Sequence, residues 1–428
     1  MNILVIGANG FVAREIIIAL KQAGHHITAC ARRHSCLLTA IGIKDIIRAD
    51  FLKDTTTECW LPRLNAIDVV INCVGVFQTN KKNMWKIHVD TPKALFQACE
   101  QVGIKKIVHL SALGIDKIDT PYATSKLAIE QFLATLSIDS TIIRPSFVYG
   151  EGAYGGSALF RGLAALPYII PMPGRAQQLL QPVHIKDLAR MACDAIHLSG
   201  KRLLCAVGPE KIPLKSLLPK LRGWLGFKKA IALPMPMWPL KLASLVGNLI
   251  YNAPLGGTGI KMMQLDNVAS PEQEQTLQDT LSFKPRGFSA GLESMVSSIE
   301  NRWHARLYFL KPLLRLSIAF IWLFTGIISL CAAHTQGFPL LQQAGIPSSW
   351  QPALLYGGAG VDLLLGTATF LNYRLRLMGT LQTLLIVVYT VIASFYLPLI
   401  WLHPLGPLAK NIPLLAAIWV MMALEDAR

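Results

Sequence analysis

At 428 residues the chain has room for two or three domains, which excludes a peptide, a small disulfide knot or a single minimal fold. Apolar residues make up 52% and charged residues 15%, and the mean hydropathy is +0.42, too apolar for an ordinary soluble enzyme and pointing to a part that lies in a membrane. The formal charge of +16 suits an anionic nucleotide or the anionic inner face of a bilayer, and nucleic-acid binding is set aside because no recognition motif accompanies the charge.

The first predicted element is the strand NILVIG, followed by Gly7-Ala8-Asn9-Gly10-Phe11-Val12-Ala13 and a helix to about Ala23. Glycines in such a turn let the backbone approach a pyrophosphate, whose charge is met by free amides and the positive end of the helix dipole. Ala13 stands at the third glycine of the fingerprint and still permits close packing of helix on strand. Gly7, Asn9, Gly10, Phe11 and Val12 are therefore candidate cofactor ligands.

The second strand, HHITACAR, ends at Arg32 and Arg33 with no carboxylate. An acidic residue there takes the ribose 2′-hydroxyl of NAD and an arginine the 2′-phosphate of NADP, so NADP(H) is favoured over NAD(H). Asp50, after the third strand, is placed either to contact the adenine amino group or as a plain turn aspartate. The strands DVVINCVG, which ends at Gly75, KKIVHLSA and STIIRPSFV follow, with helical patterns between them. That is the rhythm of a doubly wound parallel sheet, a Rossmann-type α/β fold.

Ser111 ends the strand IVHLS, and Tyr122-Ala123-Thr124-Ser125-Lys126 comes next. A helix puts Tyr122 and Lys126 one turn apart on one face. The ammonium is then expected to lower the phenol pKa and hold the nicotinamide ribose, while Tyr122 exchanges a proton with a carbonyl or alcohol that Ser111 also hydrogen-bonds.

GANGFVA, the Ser111/Tyr122/Lys126 set, Arg144-Pro145-Ser146-Phe147-Val148-Tyr149-Gly150 and Val183-His184-Ile185-Lys186-Asp187-Leu188-Ala189 together resemble the short-chain dehydrogenase/reductase superfamily, in its extended and atypical branch. Within it the chain looks similar to NAD(P)-binding proteins related to the nucleotide-binding accessory subunit of respiratory complex I. The resemblance covers about residues 1–300. It implies a Ser/Tyr/Lys hydride-transfer site, cofactor contacts at Gly75 and Pro145 besides those named above, a pocket wall made of Pro145, Ser146 and the loop Glu151 to Ser157, and a small substrate subdomain in the residues that follow. Where such families carry an asparagine in a helix before the fifth strand, this chain has His88, which either relays protons in its place or is simply packed. Atypical members also include proteins that bind a nucleotide for structure alone. Two readings stay open. One is a membrane-anchored oxidoreductase, or an enzyme of epimerase/dehydratase type, acting on a small molecule, lipophilic and quinone-like ones included. The other is a non-catalytic NADPH-binding scaffold or redox sensor assembling with respiratory-chain proteins.

The stretch Pro236 to Tyr251 sets Trp238, Leu242, Leu245, Leu249 and Ile250 on one apolar face, fit either for the substrate-domain core or for the membrane surface. A polar linker runs from about Ser270 to Ser298. Beyond it, apolar stretches near 313–333, 353–371, 377–400 and 411–424 predict a four-helix transmembrane bundle, the last stretch being the shortest. Domains of 1–300 and 305–428 are expected. Arg315-Leu316-Ser317, Asp362, Gln382, Tyr389-Thr390 and the segment from Pro398 through His403 to Asn411 resemble DoxX-like four-helix membrane proteins. Asp362 stands out because a carboxylate at membrane depth is costly and pairs with something or lines a polar path.

Arg302, Arg306, Lys311 and Arg315 precede the first span, Arg374 and Arg376 separate the second and third, and the segment His334 to Gln351 has neither lysine nor arginine. The positive-inside rule then puts both termini in the cytosol, in a multi-pass inner-membrane protein; MNILVIGANG also reads as no signal peptide. The eight cysteines show no zinc spacing and read as reduced, mostly buried thiols, and no metal site is expected.

Overall fold

The computed structural model describes residues 1–33, 36–77, 79–152, 155–236, 238, 257–404 and 406–425. The chain divides into two compact units, one reaching Arg306 and the other beginning at Leu307. Most of the amphipathic stretch Pro236 to Tyr251 lies outside the described residues.

The first unit is built on a seven-stranded sheet. In chain order the strands are β1 (Asn2–Ile6), β2 (His26–Ala31), β3 (Ile46–Arg48), β4 (Val69–Asn72), β5 (Lys106–Leu110), β6 (Asp139–Pro145) and β7 (Lys201–Ala206). Their spatial order is β7-β6-β5-β4-β1-β2-β3 and every pair is parallel, with Ile3 opposite both Ile27 and Val69. β3 is short and β7 carries Lys201, Arg202 and an exposed Leu203 at its start, as suits the two sheet edges.

Side chains of β1 alternate between two cores, as a strand requires. Ile3 and Val5 join α1 (Phe11–Gln22) through Ala13, Ile16, Ile17 and Leu20 on one face; Leu4 and Ile6 join α2 (Thr91–Val102) and α3 (Pro121–Thr135) on the other. A fourth helix, α4 (Ile185–Ala195), adds Leu188 and Met191 to the first core. With both faces covered, the central strands are almost wholly apolar. The α3 helix starts where Thr120 Oγ1 accepts from the Ala123 amide at 3.2 Å and Pro121 fills the first turn. α2 ends at Gly103, which takes φ +76°.

The second unit holds most of α5 (Ile299–Cys331), then α6 (Gln351–Phe370), α7 (Leu375–Tyr396) and α8 (Asn411–Leu424). α5, α6 and α7 are long and apolar enough to cross a membrane, whereas α8 has 14 residues. The fourth predicted span is thus an apolar helix of lesser length. Small residues bring helices together: a Cβ on Gly366 would lie 2.9 Å from the Leu323 amide nitrogen, and one on Gly326 3.0 Å from the Ala359 carbonyl oxygen. Inside, Ile318, Trp322, Leu365, Met378, Ile386, Ile418 and Met421 pack together, and the buried Gln382 donates through Nε2 to Thr369 Oγ1 at 2.8 Å. Asp362 is buried, and its Oδ1 has no hydrogen-bond partner among the described residues. The outward side chains, Leu364, Leu384, Phe395 and Trp419 among them, are apolar and exposed.

All eight cysteines are free. Cys30, Cys99 and Cys205 are buried, but Cys36 and Cys331 are exposed, so the thiols are less uniformly hidden than the sequence suggested.

Candidate functional site

The strand order reverses at β1, and the loops leaving the carboxyl ends of β1, β4, β5 and β6 meet at that switch point. Gly7 leaves β1 with φ +78°, and a Cβ there would lie 2.9 Å from Val74 Cγ2, so neither the backbone angle nor the space admits a side chain. The Gly7 and Ala8 amides donate to Cys30 O on β2, which ties the loop to the neighbouring strand. Gly10 caps α1 without a side-chain hydrogen bond, and no acidic residue sits in the first turn. The opening amides of α1, at Phe11 and Val12, have no intrahelical acceptor, and they lie at the positive end of its dipole.

Asn9 Nδ2 donates to Arg33 O at 3.0 Å, holding the ends of β1 and β2 together, while Asn9 Oδ1 is buried without a partner among the described residues. Arg32 and Arg33 are exposed just past the end of β2. Asp50 is half-buried in a turn: its Oδ1 accepts from the Leu52 amide at 3.1 Å and its own amide donates to Asp54 Oδ2 at 2.8 Å. The structure thus gives Asp50 a turn-building role.

Ser111 directly follows β5. Its amide donates to Ile143 O at 2.8 Å, and its hydroxyl is buried with no partner among the described residues. Lys126, on α3, is buried, and its ammonium donates to Val74 O at 3.2 Å and to Leu110 O, next to Ser111, at 2.9 Å. An ammonium has three donors, so one remains. Gly75 lies beside it, since a Cβ there would be 3.6 Å from Lys126 Nζ. Burial pushes the Lys126 ammonium down to about 8, with Glu130 pulling it back up.

Tyr122 is half-buried, its ring packed edge-on against Phe77 at 5.0 Å and His88 at 5.6 Å between centroids. The expected lowering of its pKa is not what the structure shows. Burial pushes the phenol up to about 12, and Lys126 gives no opposing pull because its ammonium is drawn to the carbonyls of Val74 and Leu110. At neutral pH Tyr122 holds its proton.

His88 sits in a single π-helical turn, Lys86–Asp90, and both its ring nitrogens are engaged. The Val76 amide donates to Nε2 at 2.9 Å, so Nε2 carries no proton and Nδ1 donates to Ser125 Oγ at 2.8 Å; Ser125 in turn donates to Tyr122 O at 2.9 Å. Burial keeps this imidazole neutral, its pKa far below the usual range. Of the two readings open for His88, the packed one fits: it straps the loop after β4 to the helix of Tyr122 and Lys126. Ser125 and Phe77 were not singled out in the sequence, where the only signals were a serine inside the Tyr-to-Lys interval and an aromatic two residues past Gly75.

The Arg-Pro-Ser-Phe-Val-Tyr-Gly segment is mostly a packing device. Arg144 makes a buried paired contact with Glu130 on α3, at 2.6 Å from Nη2, and reaches Asp116 at 3.4 Å. Ser146 donates its hydroxyl to Gln181 O and is buried, which removes it from the expected pocket wall. Tyr149 is enclosed by His184 and Phe288, and Asp187 pairs with Arg286 at 2.8 Å. Pro145 is half-buried at the end of β6. Of the loop Glu151 to Ser157, Ala153 and Tyr154 lie outside the described residues.

The fold is that of an NAD(P)-binding Rossmann domain followed by a segment of apolar helices. Residues 3–201 match the NAD dependent epimerase/dehydratase family and residues 319–419 the DoxX-like family, so the chain joins an epimerase/dehydratase-type domain to a DoxX-like one. Among curated proteins it is similar to the chloroplastic divinyl chlorophyllide a 8-vinyl-reductase of Arabidopsis thaliana, 25% identical over 244 residues, 53% of this chain and 57% of the relative. It is also similar to the mitochondrial NADH dehydrogenase [ubiquinone] 1 alpha subcomplex subunit 9 of Rattus norvegicus, 24% identical over 263 residues, 58% of this chain and 67% of the relative. The chain thus spans a little over half the length of the plant reductase. Among solved structures, MoeE5 in complex with UDP-glucose and NAD superposes with a TM-score of 0.53 over 71% of this chain and 99% of its own, at 18% identity.

Proposed function

We propose that this chain is a membrane-tethered, NADP(H)-dependent oxidoreductase in which Ser111, Tyr122 and Lys126 act on a carbonyl, alcohol or related small molecule, lipophilic substrates drawn from the bilayer included. The observation that carries the reading is the buried, unpartnered Ser111 hydroxyl beside the anchored Lys126 ammonium, at the crevice where this fold binds dinucleotides.

The residues present fit the cofactor. The cradle at Gly7, the open amides at Phe11 and Val12, Asn9 Oδ1 and the spare donor of Lys126 are groups left for a ligand. Gly7 to Val12 would hold the pyrophosphate, Arg32 and Arg33 the 2′-phosphate, Lys126 the nicotinamide ribose, and Gly75 and Pro145 would border the nicotinamide. When bound, that cofactor supplies or takes up hydride. The chain's own part is acid chemistry: Tyr122, a protonated phenol, gives its proton to the substrate oxygen while Ser111 Oγ hydrogen-bonds the same oxygen. His88, through Ser125, fixes the helix that presents Tyr122.

Three long apolar helices and the DoxX-like match support the tether. The arginine and lysine distribution supports a multi-pass arrangement with both termini in the cytosol. A second reading, a nucleotide-binding scaffold among respiratory-chain proteins, is favoured by the likeness to a protein named as a subunit of NADH dehydrogenase.

One experiment separates the two. The full chain in lipid nanodiscs is given NADPH with panels of quinones, aldehydes and ketones, and nicotinamide absorbance is followed. Tyr122→Phe should keep NADPH affinity and lower turnover by about 100-fold or more, the loss expected for a general acid. Unchanged turnover removes Tyr122 from the chemistry, and tight binding with no turnover on any panel leaves the scaffold.

A further inference from the structure

The first unit exposes an apolar ribbon that its own core does not use. Strands Ile169–Pro173 and Ile231–Met235 pair in parallel apart from the main sheet, with Ile231 opposite Ile169 and Leu233 opposite Pro171. Ile231 is 71% exposed, Leu233 49% and Ile169 41%, and Tyr168, at φ +63° on the turn before the first strand, is 83% exposed. The Ile231 amide donates to Tyr168 O at 2.9 Å, so these four side chains belong to one patch. Singly exposed apolar residues need no explanation; a paired strip of them does.

Two observations say what covers it. Lys228 and Lys229 are exposed immediately before Ile231, giving the patch a cationic rim. The same loop holds the residues through which the chain enters its apolar helices: the Arg306 guanidinium lies over the Phe227 ring at 4.9 Å, and the Arg302 guanidinium packs on the backbone of Gly226. Both arginines lie on α5, about two turns or more before the first apolar stretch opens near residue 313. The loop carrying Lys228 and Lys229 is thereby fixed against the stretch of α5 that leads into the first apolar span.

We propose that this ribbon rests in the headgroup layer of the bilayer that holds the chain's own helices, with Tyr168, Ile169, Ile231 and Leu233 dipping toward the acyl boundary and Lys228 and Lys229 on anionic headgroups. Aromatic and aliphatic side chains with lysines at their edge suit that layer, where one end of a residue is dry and the other wet. The inference rests on the reading of α5, α6 and α7 as membrane-spanning, and its test keeps the two apart.

The full chain, with native cysteines replaced, is labelled with a nitroxide at Ile231→Cys, Leu233→Cys, Phe395→Cys on α7, or the exposed Glu272→Cys, and placed in nanodiscs with or without anionic lipid. Collisions with oxygen and with a water-soluble nickel chelate are compared. In anionic discs Ile231 and Leu233 should favour oxygen several-fold over Glu272, as Phe395 does, and Lys228→Gln with Lys229→Gln should return both toward the Glu272 value. If Phe395 reports lipid while Ile231 and Leu233 match Glu272, the ribbon proposal falls and the spanning reading stands; if Phe395 itself matches Glu272, the spanning reading falls. Protection from both reagents, equal in anionic and neutral discs, signifies a protein partner and also overturns the proposal. Hydroxyl-radical footprinting of the unmodified chain tests the same contact without substitutions: Tyr168 and Leu233 should be oxidised several-fold less in anionic than in neutral discs, and equal oxidation counts against lipid contact.

Discussion

Tyr122 owes its state to what surrounds it. Phe77 and His88 hold its ring edge-on, burial keeps its proton on, and Lys126, one helical turn away, spends two donors on backbone carbonyls. On the proposed reading, in which Lys126 holds the nicotinamide ribose, the pH dependence of cofactor binding should follow Lys126. With its pKa pushed down to about 8, the ammonium is present below that pH and lost above it, so NADPH should bind progressively more weakly as pH rises through about 8. Lys126→Arg, charged throughout, should remove this inflection at whatever affinity it retains. Calorimetry between about pH 7 and 9 checks it; an unchanged inflection in the variant assigns the titration elsewhere. The sequence made Ser111, Tyr122 and Lys126 legible as candidates because their spacing is local. It misjudged the phenol because the ammonium's partners come from Val74 and Leu110, 52 and 16 residues away in the chain. His88 was visible only as an oddity, since the amide that fixes its tautomer sits on another loop.

Elements place these residues by their ends. The run past β2 carries Arg32 and Arg33 exposed beside the loop fixed by Asn9, and this predicts cofactor choice. The full chain should bind NADPH at least about tenfold tighter than NADH, a gap of about 1.4 kcal/mol or more from a charge-assisted phosphate contact. Equal affinities by calorimetry would remove both arginines from that role. Between α3 and β6 the join is ionic: Arg144 and Glu130 are both buried, with Asp116 half-exposed as a lesser partner. Glu130→Gln keeps the shape but leaves the guanidinium short of charge, and should destabilise the fold by about 3 kcal/mol, read as a lowered Tm. Five strands were plain in the sequence as buried apolar runs. β7 was not, because its first half, Lys201 to Leu203, is exposed and only its second half reads as core. The Tyr149 segment looked like pocket wall, yet its hydroxyls and guanidinium are taken up by long-range packing partners such as Gln181 and Gly287 that no local pattern reveals.

At the scale of the whole molecule the testable quantity is sidedness. With Arg374 and Arg376 between α6 and α7, and no lysine or arginine from His334 to Gln351, a maleimide that cannot cross the membrane should label Ser348→Cys in intact cells and Asn372→Cys only after lysis. Labelling of both from outside would refute the arrangement with both ends in. The lengths of the helices carry a further consequence. α8, at 14 residues, rises about 21 Å, against a hydrocarbon layer of about 30 Å that α5 exceeds with ease. On the proposed multi-pass reading, with α8 crossing as well, a bilayer of uniform thickness would have to pinch locally around the short helix while Lys410 at its start stretched toward the headgroups. On that reading lipid chain length would regulate this protein: short-chain membranes would relieve the mismatch, thick ones would aggravate it, and where the protein settled would follow from that elastic cost.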